Sequence, residues 1–126
     1  MDKMKKHADR VMDIFAAICE IPRPSGHEEQ IGKFLMDFAG SHGLECVMDK
    51  TGNVIIRKPA TPGKEKCQTV ILQAHQDMVC EKDATLEHDF MTQPIDTYVE
   101  DGWLKARGTT LGADDGMGIA MALAVM

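Results

Sequence analysis

The chain has 126 residues, enough for one domain with a core of its own. Apolar residues make up 44% of it, which excludes a disordered class, and its net charge of −6 argues against nucleic acid or an anionic membrane surface as partner. No apolar run approaches the roughly 18 residues of a membrane span, and Asp9, Asp13 and Glu20 interrupt what would be a signal-peptide core. A cytoplasmic location is therefore expected. Four cysteines, at 19, 46, 67 and 80, include no C-x-x-C pair, so zinc-ribbon and thioredoxin readings fail and reduced thiols are expected.

Val11, Ile14, Phe15, Ile18 and Cys19 recur at helical spacing and predict a helix over about residues 4–20, ended by Pro22 and Pro24. Ser25-Gly26-His27-Glu28 reads as a capping box opening a second helix, with Ile31, Phe34, Leu35 and Phe38 on one face and Gly43 as its stop. Leu44, Cys46 and Met48 alternate as in a half-buried strand, and Val54-Ile55-Ile56 predicts its hairpin partner across the turn at 49–53. Thr69-Val70-Ile71-Leu72 is a continuous apolar run, expected to be a strand covered on both faces. Residues 80–95 look irregular. Thr97-Tyr98-Val99 and Trp103-Leu104-Lys105 flank a turn and predict a second hairpin, and a helix is expected from Gly116 onward. Helices and strands in this order indicate an α/β fold. The apolar, uncapped helix at the end of the sequence and the strand in need of neighbours lead us to expect a truncated piece of a larger domain.

Two stretches could carry chemistry. His75-Gln76-Asp77 follows the predicted buried strand, where ligands bind in open α/β sheets. Period-two geometry puts His75 and Asp77 on the same side. A neutral imidazole is a good zinc ligand, and a neighbouring carboxylate can hold its tautomer, although H-x-D alone also describes an ordinary strand-to-loop turn. The second stretch runs from Gly108 to Gly118 and places Asp114 and Asp115 between glycines before a helix. Its G-x3-G-x-G spacing fits neither the dinucleotide fingerprint nor the P-loop, and Asp115 is adequately explained by helix capping. One imidazole with a separate carboxylate is the mix a two-metal hydrolase needs.

The stretches from Leu72 to Val79 and from Lys105 to Gly116 resemble the first two metal motifs of the M20 metallopeptidases. Ile21 to Glu29 and His88-Asp89-Phe90 narrow the resemblance to the aminoacyl-histidine (Xaa-His) dipeptidases. It implies an α/β/α catalytic domain with a mixed sheet, of which residues 1–126 would be the N-terminal segment. It implies that His75 ligates one metal, that Asp114 bridges two, and that Asp77 acts in catalysis by orienting His75. The cofactor would be zinc, two per complete site, with cobalt or manganese as alternatives. The substrate would be a dipeptide of the β-alanyl-histidine kind, and the complete enzyme a homodimer. The general base, the remaining ligands and a lid and dimerisation domain would lie outside these residues, so the chain alone is expected to be inactive. The alternatives are another M20 amidohydrolase (a tripeptidase or deacylase) and a non-catalytic truncated chain. His7, His27, His42 and His88 are expected to be solvated, at helix ends or in a surface loop.

Overall fold

The computed structural model describes residues 2–126. The elements run α1 (Asp2–Cys19), α2 (Glu29–Ser41), β1 (Glu45–Met48), β2 (Val54–Arg57), β3 (Thr97–Glu100), β4 (Trp103–Ala106) and α3 (Ala113–Val125). The fold is mixed α/β, with β1 and β2 forming one antiparallel hairpin and β3 and β4 another.

The apolar stripe of α1 buries Phe15, Ile18 and Cys19. It faces α3, whose buried residues are Gly116, Ile119, Ala120 and Leu123. α2 contributes Ile31, Leu35 and Ala39 and packs on the first hairpin. Met78 and Ile95 join the helices in one apolar cluster. Removing these side chains from water drives the assembly, at about 1.5–3 kcal/mol for each large one. Burial pushes the Cys19 thiol up to about 11, so it is a neutral packing residue, and all four cysteines are free.

The turn between β1 and β2 is organised by Asp49. Its carboxylate accepts from the backbone N–H groups of Thr51 and Asn53 and from both of their side chains. These bonds stabilise the ionised form and bring its pKa down to about 2.

Two local expectations are corrected. Thr69–Leu72 forms no strand, and Val70, Ile71 and Leu72 are 78%, 85% and 51% exposed. A strand covered on both faces needs hydrogen-bonded neighbours, and none of the described strands lies beside this run. The capping box expected at 25–28 does not form, and α2 has no side-chain cap bond. Glu28 Oε1 accepts from the Gly26 N–H, and the Ser25 hydroxyl donates to Asp77. Capping would use a lone pair of the hydroxyl and not its proton, so the bond to Asp77 is not what prevents it; α2 starts at Glu29 with Glu28 in the cap position, three residues beyond Ser25.

Candidate metal centre

Residues 75–82 carry one chemical stretch and residues 108–114 the other. Backbone pairing brings them side by side. Met78 N–H donates to Arg23 O at 3.0 Å, within a parallel bridge between Pro24 and Met78. On the other flank, Asp83 N–H donates to Gly108 O at 2.8 Å and Thr110 N–H to Glu81 O at 2.9 Å, around an antiparallel bridge between Lys82 and Thr109. The Thr110 hydroxyl donates to Val79 O at 2.7 Å. The 75–82 stretch is thus held between the segment before α2 and the segment before α3.

That pairing sets His75 between two carboxylates. Its Nδ1 lies 3.0 Å from Asp77 Oδ1 and 3.0 Å from Asp77 O, and its Nε2 lies 2.9 Å from Asp114 Oδ1. The contact with Asp114 is the chief cause of an upward shift of the imidazole pKa, with Asp77 adding to it. Asp77 is displaced the other way. The Ser25 hydroxyl, donating to Asp77 Oδ2 at 2.5 Å, holds the carboxyl below its usual range, assisted by His75. The ring, Asp77 and Ser25 therefore form a chain of contacts ending at Asp114.

Asp114 sits where α3 has not yet become regular. Gly112, at φ 76°, turns the chain into the helix, and Asp114 and Asp115 have non-helical dihedrals joined by a cis peptide bond. Regular helix begins at Gly116, where the spacing predicts it. No side-chain cap bond forms at this start, and the side chain of Asp114 is 96% exposed. The Asp115 carboxylate turns towards Gly118, where a Cβ would collide with it. The two adjacent aspartates thus face different surroundings, and only Asp114 meets His75.

The donor set fits a borderline divalent cation in kind. An imidazole nitrogen and a carboxylate oxygen point at one place, and the other ring nitrogen faces a carboxylate. It falls short in number. Among the described residues no group of three or more His, Cys, Asp or Glu side chains is gathered as a metal site. The remaining histidines stay apart from it. His7 and His27 are exposed. His42 stacks on Phe38 at the end of α2, with centroids 4.1 Å apart. His88 departs from the expected solvated loop residue. It is half-buried, edge-on to Phe90, with Nε2 shielded and unpartnered among the described residues.

Sequence reasoning gave no role in this centre to two residues that shape it. Ser25 is one, and the buried Arg23 is the other. The guanidinium of Arg23 donates to Gln76 O, Asp77 O and Gly112 O at 3.0, 3.1 and 2.5 Å. A cation set between two prolines, within the Ile21–Glu29 stretch that carries part of the family resemblance, was the local signal for it.

No protein-family model matches the chain. It is 53% identical over 114 residues to the cytosol non-specific dipeptidase of Escherichia coli (strain K12), across 90% of this chain and 24% of that protein. The solved aminoacylhistidine dipeptidase of Vibrio alginolyticus superposes with a TM-score of 0.89 at 47% identity, across 92% of this chain and 24% of that one. The chain spans about a quarter of the length of each.

Proposed function

We propose that this chain is part of an M20-type aminoacylhistidine dipeptidase, a reading supported by its likeness to the two dipeptidases above, and that it supplies part of the metal centre of an enzyme hydrolysing Xaa-His dipeptides such as β-alanyl-histidine. The observation that carries this reading is the meeting of His75 Nε2 and Asp114 Oδ1 at 2.9 Å, with Nδ1 turned to Asp77.

Asp77 would accept a hydrogen bond from Nδ1–H, which would fix the tautomer and leave the Nε2 lone pair for a cation. Ser25 keeps Asp77 ionised and correctly turned for that task. Asp114 is exposed and sets one carboxylate oxygen beside Nε2, and would be the residue shared by two ions. His75 and Asp114 would hold zinc, or cobalt or manganese, which when bound polarises the peptide carbonyl and acidifies a water. Catalytic zinc takes about three protein ligands, so the remaining ligands and the general base belong to parts of the enzyme outside residues 1–126. The same holds for the lid and dimerisation domain of a homodimeric, cytoplasmic enzyme. This chain alone binds metal weakly and does not turn over substrate.

The test has two arms. The 126-residue chain with added zinc should hydrolyse neither β-alanyl-histidine nor a dipeptide lacking histidine. In the complete enzyme, Asp114→Ala should remove bound zinc and most activity, roughly a hundredfold or more by analogy with lost metal-site groups. Asp77→Ala should lower kcat more than zinc content, and Asp115→Ala should be mild. Normal zinc content and rate for Asp114→Ala would end the assignment. A preference for the dipeptide lacking histidine would keep the hydrolase and discard the Xaa-His specificity.

A further inference from the structure

Arg23 is the charged residue buried among the described residues, with 2% of its surface exposed. Its neighbours Pro22 and Pro24 restrict the backbone that presents it. Its carbonyl accepts from Met78 N–H at 3.0 Å, so main chain and side chain both engage the stretch bearing His75. Nη1 donates to Gln76 O and Asp77 O, at 3.0 and 3.1 Å, and Nη2 donates to Gly112 O at 2.5 Å. One rigid fork therefore spans the two backbone segments that carry His75 and Asp114.

The surroundings are shaped to admit that fork. A Cβ on Gly112 would lie 2.7 Å from Nη2 and 2.8 Å from Met78 Sδ, and one on Gly116 would lie 2.6 Å from Nη2. No carboxylate among the described residues forms an ion pair with the guanidinium. A buried cation hydrogen-bonded to carbonyl oxygens, with Asp77 and Asp115 acting on it only at longer range, is a costly way to join two loops, and a neutral side chain would desolvate more cheaply. What only the guanidinium provides is a planar set of donors at fixed angles to two segments at once, which the single ammonium of lysine cannot reproduce.

We propose that Arg23 is a positioning residue, whose guanidinium sets the separation of His75 and Asp114 by clamping the carbonyls of Gln76, Asp77 and Gly112. The proposal rests on the metal-centre reading for its consequence, but its geometry is testable without metal. In the metal-free chain, Arg23→Lys is compared with Leu35→Ala, which truncates a buried residue of α2. Folding is checked by circular dichroism, and the ¹⁵N resonance of His75 Nε2 reports its contact with Asp114. Arg23→Lys should stay folded and shift that resonance to the position seen in Asp114→Asn, whereas Leu35→Ala should leave it in place. Co²⁺ titration of the complete enzyme should then show affinity at least tenfold weaker for Arg23→Lys and unchanged for Leu35→Ala. A folded Arg23→Lys with the parental Nε2 resonance would overturn the proposal. Should that variant not fold, Gly116→Ala keeps the charge and crowds Nη2, and an unmoved Nε2 resonance there would overturn it equally. Failure of the parent enzyme to bind Co²⁺ would instead strike the metal-centre reading and leave the resonance test of the clamp standing.

Discussion

Glycine to alanine inside a helix ordinarily stabilises, by up to about 1 kcal/mol. Gly116 and Gly40 both lie in helices, α3 and α2, and should respond with opposite signs. At Gly40 an added Cβ meets nothing within 4 Å, so the backbone gain is realised, reduced somewhat by the nearby helix end. At Gly116 the Cβ would lie 2.6 Å from Arg23 Nη2 and 2.9 Å from Phe15 Cε2. Neither neighbour can yield freely. Phe15 is 0% exposed, in the packing of α1 on α3, and Arg23 is tied to three carbonyls. Overpacking of this kind costs about 1–3 kcal/mol. Loosening one charge-assisted hydrogen bond adds about 1.5–3 kcal/mol. Against a helix gain of about 1 kcal/mol, Gly116→Ala should lose roughly 3 kcal/mol net, a Tm lower by about 12 °C at this chain length. Urea and thermal unfolding followed by far-ultraviolet circular dichroism measure both variants, because Trp103 is 71% exposed and a poor fluorescence reporter. A Gly116→Ala midpoint at or above that of the parent would refute the packing argument at the root of α3. It would also mean that Arg23 is not held as described.

Two further outcomes follow from the surface. The depressed pKa of Asp49 stabilises the folded state above the unfolded carboxyl value near 3.8, and that contribution is lost as pH falls through about 2. Asp49→Ala should therefore melt below the parent above pH 4, with the gap closing towards pH 2; parallel curves across that window would show that the turn bonds are not formed in solution. Ile71→Ser should change stability by no more than about 0.5 kcal/mol, because the side chain is 85% exposed, and a loss above about 1 kcal/mol in urea unfolding would show that the 69–72 run is packed.

How far the sequence could be read depended on where each element's partners lie. α1 and α2 are specified by stripes within one segment, and each hairpin by alternation around one turn, so local patterning sufficed for all of them. The start of regular helix at Gly116 was visible because two aspartates and two glycines mark the break in dihedrals there. The 69–72 run fails for the opposite reason. Its composition states a preference for a buried strand, but a strand exists only through neighbours that composition does not provide.

The candidate centre divides in the same way. His75, Asp77 and Asp114 could be picked out as residue types in short motifs, and the i, i+2 relation of His75 to Asp77 follows from local backbone geometry. The approach of Asp114 could not be deduced locally. It depends on the bridge of 82 to 109, the bonds flanking it, and the fork of Arg23 reaching Gly112. Arg23 lies in a stretch that carries the family resemblance but offers no period that would predict its burial, and a cation between two prolines reads as exposed loop. Its burial becomes intelligible only when Gly112 and Gly116 are seen to leave the room it fills. Two glycines of the second stretch, Gly112 and Gly116, are places of close approach, and the group approaching them is the protein's own guanidinium. The ligand role proposed for Asp114 and the backbone clearance at Gly112 and Gly116 are separate demands that share one short segment. A substitution at either glycine should therefore damage the site through Arg23 while every candidate ligand remains in the chain.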